Sequence, residues 1–577
     1  MKNKWNLTLA FLLCFLMSNF TSEQQQVEKA ETLYKNGTIY TVDADFSTAQ
    51  AVAVAKGKIL FVGGNAEAEK WRSPDTKVVD LKGKVMVPGL IDSHYHFMGV
   101  GRREYHLNLD GTKSLAEFLA RIEKEIARKK KGDWITGRGW IEEDWPTKKF
   151  PTRTDLDAIS PDNPVFLRRA DGHAAVANSM AIEQAGITKD TVNPQGGEII
   201  HDAYSGEPTG MFLDKAMGLI SRHIPQQSSQ EMNARYAKKA DALALAYGLT
   251  QIHDMGSSWK TVALWKKMYE EDELKIRIHA YIAGPGEQAD RLLAEGAKMA
   301  LPGEKLTVRG IKIVQDGALG SRGAALLAKY NDFKTSGFLI HKDAEIYPTI
   351  KTAVKNGIQM AIHAIGDRAN RNVIDLYEKA LQEVPENERK IKQPRLRIEH
   401  AQIVDRDDIP RFKALGVLPS MQASHAIGDL HFAIRRLGTT RIKGGYAWRT
   451  FIDQGSMIAM GSDAPVEEGN PMIEFFAAVA RKDTTGYSNP DWNNGLKMTR
   501  EEALKSMTIW ASYAVFEEDI KGSIEPGKIA DFVVLDRDIM KADEKKLFNT
   551  KVLMTIIGDE VVYEKVRSPI DEFFEKD

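Results

Sequence analysis

Short apolar runs alternate with long helical patterns through the middle of the chain. The runs are almost continuously hydrophobic, which is typical of strands buried on both faces, as in a parallel sheet. Eight of them stand at residues 85–96, 247–256, 274–284, 308–322, 357–367, 395–404, 416–424 and 455–465. Eight such strands separated by helical segments predict an α/β fold built on a (β/α)8 TIM-like barrel.

The two ends of the chain have a different pattern of short, alternating, Val- and Ile-rich runs broken by turn sequences. These runs stand at residues 31–43, 51–64, 77–89, 522–538 and 551–564. Such runs indicate strands and hairpins. The sequence therefore predicts a small β-sandwich domain built from both chain ends, residues 28–86 and 520–566, with a barrel domain at 87–519 between them.

A long stretch separates the first two predicted barrel strands. It has roughly 150 residues, far more than an ordinary connection between a strand and a helix, and it contains helical and strand-like patterns of its own. We therefore expect a large insertion after barrel strand 1, forming a subdomain at about residues 100–240.

The first residues have the composition of an export signal. Lys2 and Lys4 precede an apolar segment from about Leu7 to Met17, and polar residues follow. The segment is too short to span a bilayer comfortably and is typical of a secretory signal peptide. Residues 1–22 are therefore predicted to be a signal peptide of an exported protein, periplasmic or extracellular. An uncleaved N-terminal membrane anchor is the alternative.

Composition narrows the partners and the ligands. The formal net charge is −1, which gives no indication of a nucleic-acid partner. No stable membrane insertion is expected after signal removal, and a homo-oligomer is left open. Cys14, inside the predicted signal peptide, is the only cysteine. A mature chain would therefore have no disulfide, no thiolate nucleophile and no sulfur ligand, so any metal must be held by nitrogen and oxygen.

Metal-ligating residue types stand where several predicted barrel strands end. His94 and His96 close the first strand two residues apart, so both would face the barrel mouth, where such barrels keep their active sites. His363 ends the fifth strand, His400 the sixth and Asp463 the eighth. This set predicts a metal site, and imidazole with carboxylate suits Zn²⁺ or a similar divalent ion. For Asp463 a turn is the competing interpretation, because GSDAP is also a turn-like sequence.

Lys312 is anomalous because it lies in the otherwise apolar fourth strand, GIKIVQDG. A buried lysine is costly unless it is neutralised, paired or chemically modified. Lys312 is therefore a further candidate ligand. The alternative is an unmodified lysine paired with Asp316, which would leave one metal ion instead of two.

Several motifs resemble those of the amidohydrolase superfamily, and within it the amidohydrolase-3, YtcJ-like branch. They follow one another in family order over nearly the whole mature chain. They are PGLIDSHYH, GIKIVQDGALGSRGA, AIHAIGDRAN, RIEHAQ, GSDAPVEEGNPM, TIWASYAVFEED and GSIEPGKIADFVVLD. The segment ADGHAAVANSMAI is similar to the branch's insertion motif, with Val176 where a tryptophan is common, a departure that we expect to affect substrate shape.

The resemblance implies a role for each candidate ligand. His94 and His96 would bind the more buried metal ion together with Asp463, and His363 and His400 would hold a second ion. Both ions are expected to be zinc or a similar divalent metal.

The same resemblance implies a modified lysine and a hydrolytic mechanism. Lys312 would react with CO₂ to form a carbamate that bridges two metal ions; without it, one ion per chain is expected. A metal-activated hydroxide would attack a carbonyl carbon. Asp463 would take the proton of the water as general base and pass it to the leaving nitrogen as general acid.

Three residues are candidates for contact with the substrate. His173, in the insertion, could reach the barrel mouth, with a structural histidine as the alternative. Ser321 and Arg322, after the fourth strand, could bind a polar group such as a carboxylate, with an ordinary salt bridge as the alternative. His253 and Asp254 end the second strand, where we interpret them as packing or supporting residues.

Together these observations predict an enzyme, a metal-dependent amidohydrolase acting on a small molecule. It would hydrolyse a carbon–nitrogen bond other than a peptide bond, in a non-peptide amide, an N-acyl compound or a cyclic amide. One alternative is a mononuclear deaminase of a nitrogen heterocycle, which would not use Lys312. The other is an exported, catalytically inactive binding protein. The fold leaves the natural substrate open.

Overall fold

The computed structural model of the protein describes most of the chain. The described residues are 28–225, 229–300, 305–489, 491–492 and 494–565. The predicted signal peptide at residues 1–22, with Cys14, lies outside them. Within these ranges no helix is both long enough and apolar enough to cross a membrane.

Most strands of the described chain are short. In chain order they are β1 (Thr32–Lys35), β2 (Thr38–Tyr40), β3 (Thr48–Ala49), β4 (Ala51–Ala55), β5 (Lys58–Gly63), β6 (Lys77–Asp80), β7 (Val85–Pro88), β8 (Leu90–Tyr95), β9 (Leu107–Asn108), β10 (Ile135–Trp140), β11 (Val165–Arg169), β12 (Ala174–Ala177), β13 (Gly197–His201), β14 (Pro208–Asp214), β15 (Leu249–Ser257), β16 (Arg277–Ala283), β17 (Lys298–Ala300), β18 (Leu306–Val314), β19 (Gln359–Ala364), β20 (Arg397–His400), β21 (Leu418–Met421), β22 (Ala459–Met460), β23 (Phe532–Leu535), β24 (Val552–Ile557) and β25 (Glu560–Glu564).

The α-helices connect these strands. In chain order they are α1 (Asn65–Ala68), α2 (Phe97–Tyr105), α3 (Leu115–Ile126), α4 (Arg153–Asp157), α5 (Ser179–Gln184), α6 (Met217–Ser221), α7 (Gln230–Ala246), α8 (Trp259–Glu270), α9 (Glu287–Glu295), α10 (Asp343–Asn356), α11 (Asp367–Glu383), α12 (Ile409–Leu415), α13 (Ala423–Asp429), α14 (Ala433–Arg441), α15 (Trp448–Asp453), α16 (Pro471–Ala480), α17 (Arg500–Ser506) and α18 (Ile509–Ala514).

Eight parallel strands form a nearly closed barrel. Their order around it is β8, β15, β16, β18, β19, β20, β21 and β22, which is also their order along the chain. A parallel bridge between Tyr95 and Ala464 joins the two ends of this sheet. Strand residues such as Ile278 and Ile362 share one buried core with helix residues such as Trp265. The predicted (β/α)8 barrel is confirmed.

The predicted first barrel strand, residues 85–96, is in fact two strands. β7 pairs with β23, which lies outside the barrel, and only β8 enters the barrel. The change of direction occurs at Gly89, whose backbone N–H donates to the carbonyl of Asp531 at 2.8 Å. A Cβ at Gly89 would lie 2.2 Å from Thr250 Oγ1, so only glycine fits at this crossing.

Two further sheets lie beside the barrel. One has the order β5-β4-β1-β6, and the other has the order β25-β24-β23-β7-β2-β3. The second sheet therefore combines strands from both chain ends. Val52 of the first sheet and Met86 and Phe532 of the second belong to one buried core. The small β-sandwich built from both chain ends is confirmed, whereas the domain boundaries at 86/87 and 519/520 stay predictions.

The insertion after β8 has a sheet of its own, with the order β13-β14-β12-β11-β10-β9. Trp140 and Trp145 are fully buried in its core, against Phe118. Val176 lies in the same core. Val176 therefore packs inside the insertion, and its expected effect on substrate shape stays a prediction.

A buried ion pair joins the β-sandwich to the base of the barrel. Arg277, at the start of β16, contacts Asp531, which directly precedes β23: Nε lies 2.8 Å from Oδ2 and Nη2 lies 3.1 Å from Oδ1. Both side chains are less than a tenth exposed. Removing one partner of such a pair leaves the other charge buried and unpaired, which is destabilising.

We expect Asp531→Asn to lower the apparent free energy of unfolding by about 3 kcal/mol. The control is Glu560→Gln, which breaks the nearby pair between Glu560 and Lys275 (2.9 Å), whose carboxylate is more than half exposed. Exposed pairs contribute about 0–1 kcal/mol. Urea unfolding followed by fluorescence measures the free energy of unfolding of both variants. Equal losses in the two variants would contradict the expectation that the buried pair contributes more than the exposed one.

Candidate metal centre

The six predicted ligands converge at the carboxyl ends of the barrel strands. The ring centroids of His94 and His96 are 5.4 Å apart, those of His94 and His400 4.7 Å, and those of His363 and His400 4.4 Å. His96 keeps 38% of its side chain exposed. The other five are buried: His94, Lys312, His363, His400 and Asp463.

Asp463 faces His94, which is in β8, and His96, which directly follows β8. Its Oδ1 atom lies 3.0 Å from His96 Nε2 and 3.5 Å from His94 Nε2. The ligand atoms of these three residues all lie within 4.8 Å of one another. Burial raises the pKa of Asp463, but the neighbouring His94, His96 and His425 outweigh it and leave that pKa below its ordinary value. The carboxylate is therefore ionised at neutral pH, as a metal ligand must be.

A second carboxylate holds Asp463 in this position. Asp92, buried in β8, accepts hydrogen bonds from Ser462 Oγ at 2.6 Å and from the backbone N–H of Ser462 at 3.0 Å. It also accepts from the N–H of His94 at 3.0 Å. The N–H of Asp463 then donates to the carbonyl of His94 at 2.7 Å. The first and last barrel strands are thus joined where their ligands meet.

Two charged residues of β20 orient His94, and the sequence reasoning missed them. His94 Nδ1 lies 2.6 Å from Glu399 Oε2, which places the proton on Nδ1 and leaves Nε2 facing the centre. Arg397 donates to both oxygens of Glu399, at 2.7 and 3.1 Å. Although burial raises it, Arg397 and His94 hold the pKa of Glu399 below its usual value. The sequence RIEH contained the information needed to find them, because Arg397 and Glu399 stand two positions apart in a buried strand, where charged residues need partners.

Lys312 lies next to the first ligand group. Its Nζ atom is 3.4 Å from His94 Nε2. Burial lowers the pKa of Lys312 to about 8, although the nearby Glu399 and Asp463 carboxylates raise it. A lowered pKa increases the fraction of neutral amine, the form that can react with CO₂ or bind a metal ion.

Asp316 has other partners than Lys312. Its oxygens accept from the backbone N–H groups of Ala325 at 2.8 Å and of Ile365 and Gly366 at 2.9 Å. Its Oδ1 also lies 3.3 Å from His363 Nε2. Asp316 therefore fixes the loop after β18 against the end of β19. The alternative in which Asp316 pairs with Lys312 is not what the structure has.

His400 and His425 belong to a second ligand group with Asp463, and the sequence reasoning missed His425. His400 Nδ1 donates to Gln422 Oε1 at 2.8 Å, which leaves Nε2 free to face the centre. The ligand atoms of His400, His425 and Asp463 lie within 4.8 Å of one another. Burial lowers the pKa of both imidazoles, so both are neutral and offer lone pairs. In the sequence, the one indication that His425 belongs to the site is its position four residues after the end of β21.

The donor set fits a divalent metal ion. The Nε2 atom of His425 is buried without a hydrogen-bond partner within the described chain, and that of His363 has no well-formed hydrogen bond beside its 3.3 Å contact with Asp316. Buried polar atoms are normally hydrogen-bonded, and an ion is one explanation for such exceptions. Neutral imidazoles with a carboxylate are the ligands that Zn²⁺ prefers when sulfur is absent.

A cavity of about 170 Å³ adjoins these ligands. Its lining combines barrel residues with residues of the insertion. Barrel residues in the lining include His363, His400, His425 and Asp463, and insertion residues include Ile141, Arg169, Asp171 and His173. The insertion therefore contributes part of the cavity wall.

His173 reaches this cavity from the insertion. Its Nδ1 atom lies 2.6 Å from Asp214 Oδ1, and its ring centroid is 5.2 Å from that of His363. Burial lowers the pKa of His173, but Asp214 outweighs burial and raises it to about 9. His173 therefore carries a proton at neutral pH, with Nε2 available as a donor.

Ser321 and Arg322 lie outside the cavity lining. Ser321 Oγ donates to the carbonyl of Ala318 at 3.4 Å. Arg322 pairs with Asp332, with Nη2 to Oδ2 at 2.8 Å. The structure therefore has the ordinary salt bridge, and the prediction that these two residues bind the substrate is not supported by their position.

The cavity wall carries carboxylates instead. Burial raises the pKa of Asp429 to about 7, and its Oδ2 accepts from Tyr446 and Gln402. Glu467 is also part of the wall. The one arginine of the lining, Arg169, is engaged with Glu142 and Asp171. Burial and the neighbouring carboxyl groups also raise the pKa of Glu467 well above its ordinary value. At neutral pH Glu467 is therefore protonated and Asp429 about half protonated, so these groups can donate hydrogen bonds to a neutral polar occupant.

The barrel, with His and Asp ligands at the carboxyl ends of its strands, defines the class of metal-dependent hydrolases. Residues 77–563 match the amidohydrolase family, and the chain belongs to it. A structure described as an uncharacterized metal-dependent hydrolase from Pyrococcus horikoshii OT3 is similar, with a TM-score of 0.71 and 29% sequence identity. The similarity covers 89% of this chain and 99% of that chain.

Two relatives are similar over nearly their whole length. A Bacillus subtilis (strain 168) protein called YtcJ is 34% identical, over 93% of this chain and 100% of its own. The N-substituted formamide deformylase of Arthrobacter pascens is 30% identical, over 92% of this chain and 98% of its own. The resemblance to the amidohydrolase superfamily is thereby confirmed.

We expect Glu399→Gln to weaken zinc binding by about 10–100-fold, because the residue that orients a ligating histidine is altered. Glu383→Gln, which affects an exposed pair with Lys351, is the control and should bind zinc like the wild type. Competition with a chromophoric chelator measures the affinity. Unchanged affinity in Glu399→Gln would show that His94 does not depend on this contact.

Proposed function

We propose that the protein is a metal-dependent amidohydrolase that cleaves a carbon–nitrogen bond in a small, non-peptide amide. The observation that carries the proposal is the ionised Asp463 carboxylate facing His94 and His96 at the edge of a cavity. A divalent ion held by these residues supplies Lewis-acid polarisation and lowers the pKa of water. We propose zinc as that ion, from the donor set alone.

Asp463 has the position of a proton-transfer group. Its carboxylate is buried, ionised and next to the cavity, so it can accept a proton from the attacking water and hand it to the leaving nitrogen. His173 can donate a hydrogen bond from Nε2 to the substrate oxygen, because Asp214 holds Nδ1. In this proposal the barrel supplies the chemistry and the insertion supplies a substrate contact.

The substrate class is proposed from the cavity and from one relative. The cavity is small, and its partly protonated carboxyl groups can hydrogen-bond a neutral polar group. The relative from Arthrobacter pascens is named for its action on N-substituted formamides. Compact, uncharged N-substituted amides, formamides first, are therefore the substrates that we propose.

Lys312 favours hydrolysis over deamination. A one-ion deaminase places no ligand on the fourth strand, whereas Lys312 lies here within 3.4 Å of His94. We propose that its neutral amine is carboxylated and bridges two ions, as the resemblance implies. Export is proposed separately, on the N-terminal pattern alone, and N-terminal sequencing of the mature protein is its check.

We expect zinc-loaded protein to hydrolyse N-substituted formamides and related neutral amides. Removal of the metal with a chelator should abolish the activity, and added zinc should restore it, because the ion activates the water. Amine release measures hydrolysis, and ammonia release from aminated heterocycles measures the competing deamination. Ammonia release without amide hydrolysis would replace the proposal by the deaminase.

We expect Asp463→Asn to reduce kcat by at least about 100-fold per bound metal ion, because the amide cannot take up the proton of water. Expressing kcat per bound ion separates proton transfer from the loss of a ligand. Asp453→Asn, at an exposed ion pair with Arg449, serves as the control. Wild-type turnover per ion in Asp463→Asn would refute the assigned role.

A further inference from the structure

We propose that His425 is a ligand of a second divalent ion in this centre, together with His400 and the Oδ2 atom of Asp463. The inference rests on the proposed function in one respect, that the centre holds divalent ions. It adds a seventh residue, from the helix after the seventh barrel strand, to the six that the sequence predicted.

The position of His425 brings it to the same cavity as the other ligands. β21 ends at Met421, and α13 begins at Ala423, so His425 stands in the first turn of a helix at the barrel mouth. Its side chain lines the cavity beside His400 and Asp463. The ring centroids of His400 and His425 are 5.8 Å apart, and the ring planes differ by only 16°.

The two oxygens of Asp463 face two different sets of histidines. Oδ1 is near His96 Nε2 at 3.0 Å and His94 Nε2 at 3.5 Å. Oδ2 is 3.6 Å from His425 Nε2. A carboxylate placed in this way can give one oxygen to each of two ions, and paired ions in hydrolytic sites lie about 3.5–4 Å apart.

His425 Nε2 makes no hydrogen bond within the described structure. The residue is 9% exposed, and its Nε2 atom has no hydrogen-bond partner among the described residues. Its nearest carboxylate oxygens are those of Asp463 at 3.6 Å and Glu467 at 3.8 Å. Both distances are too long for a hydrogen bond. A buried nitrogen between two carboxylates that it does not contact is therefore explained by an ion.

The partner histidine is prepared for the same role. Gln422 holds the Nδ1–H group of His400, so the lone pair of His400 Nε2 faces the centre. The ligand atoms of His400, His425 and Asp463 already lie within 4.8 Å of one another. Nitrogens on one tetrahedral zinc ion are roughly 3.3 Å apart, so small side-chain rotations are sufficient to bring these atoms onto one ion.

This ligand set has a consequence for Lys312. With His400, His425 and an oxygen of Asp463, a second ion has three protein ligands without a carbamate. The second ion should therefore remain bound, at least in part, when Lys312 cannot be carboxylated.

The test is the number of zinc ions bound per chain, measured by elemental analysis after loading the full-length protein and removing free metal. We expect two ions in the wild type, two in His431→Gln and one in His425→Ala and His425→Gln. His431 is the matched control, since it is a partly exposed histidine just after α13 that pairs with Asp483 at 3.0 Å. Lys312→Ala should keep more than one ion.

A second measurement covers the case in which the His425 variants fail to fold. Anomalous diffraction from zinc-loaded wild-type crystals should give a peak about 2.0–2.1 Å from His425 Nε2. Two ions retained in folded His425→Ala, or two peaks that both avoid His425, would overturn the inference and leave the proposed function intact. A single ion bound by the wild type away from His425 would do the same. A wild type that binds no ion would overturn both.

Discussion

The buried carboxylate of Asp92 fixes the geometry on which the centre depends. A barrel closes only if its last strand meets its first in register, and here Asp92 makes that joint by accepting hydrogen bonds from Ser462 and His94. The same joint sets Asp463 beside His94, 369 positions away in the chain. The residues that close the barrel are therefore the candidate ligands themselves or their direct neighbours in the chain, so the same hydrogen bonds close the barrel and position the site.

The orientation of the imidazoles follows a common rule. Two of the histidines give their outer nitrogen to a fixed oxygen: His94 to Glu399 and His400 to Gln422. The inner nitrogens then face the cavity as lone pairs, which is the form that binds a metal ion. His173 follows the same pattern with an acidic partner, but its raised pKa makes it a donor. Position and partner thus distinguish the neutral histidines, which we propose as metal ligands, from the protonated His173, which we propose as a substrate contact.

Most of the barrel and most of the site could be predicted from the chain. Buried parallel strands have a distinctive hydrophobic pattern, and their carboxyl ends meet at one mouth, so polar residues at those ends must converge. That reasoning found His363 and His400 as well as Asp463. It missed His425, because this residue follows a strand of only four residues and lies in a helix, where spacing no longer indicates direction. For Arg322 it left substrate contact and salt bridge open, and the structure has the salt bridge with Asp332 in an irregular loop.

By itself the sequence determined the family, the barrel, the β-sandwich from both chain ends and the ligand types, since periodicity and residue type are local properties of a chain. Only the tertiary structure decided which side chains meet. It split the first predicted strand at Gly89, buried Val176 in the insertion and paired Arg322 with Asp332. It also brought His425 to the oxygen of Asp463 that the other histidines leave free. Such pairings depend on how distant loops pack, and packing between distant segments leaves no periodic signal in the sequence.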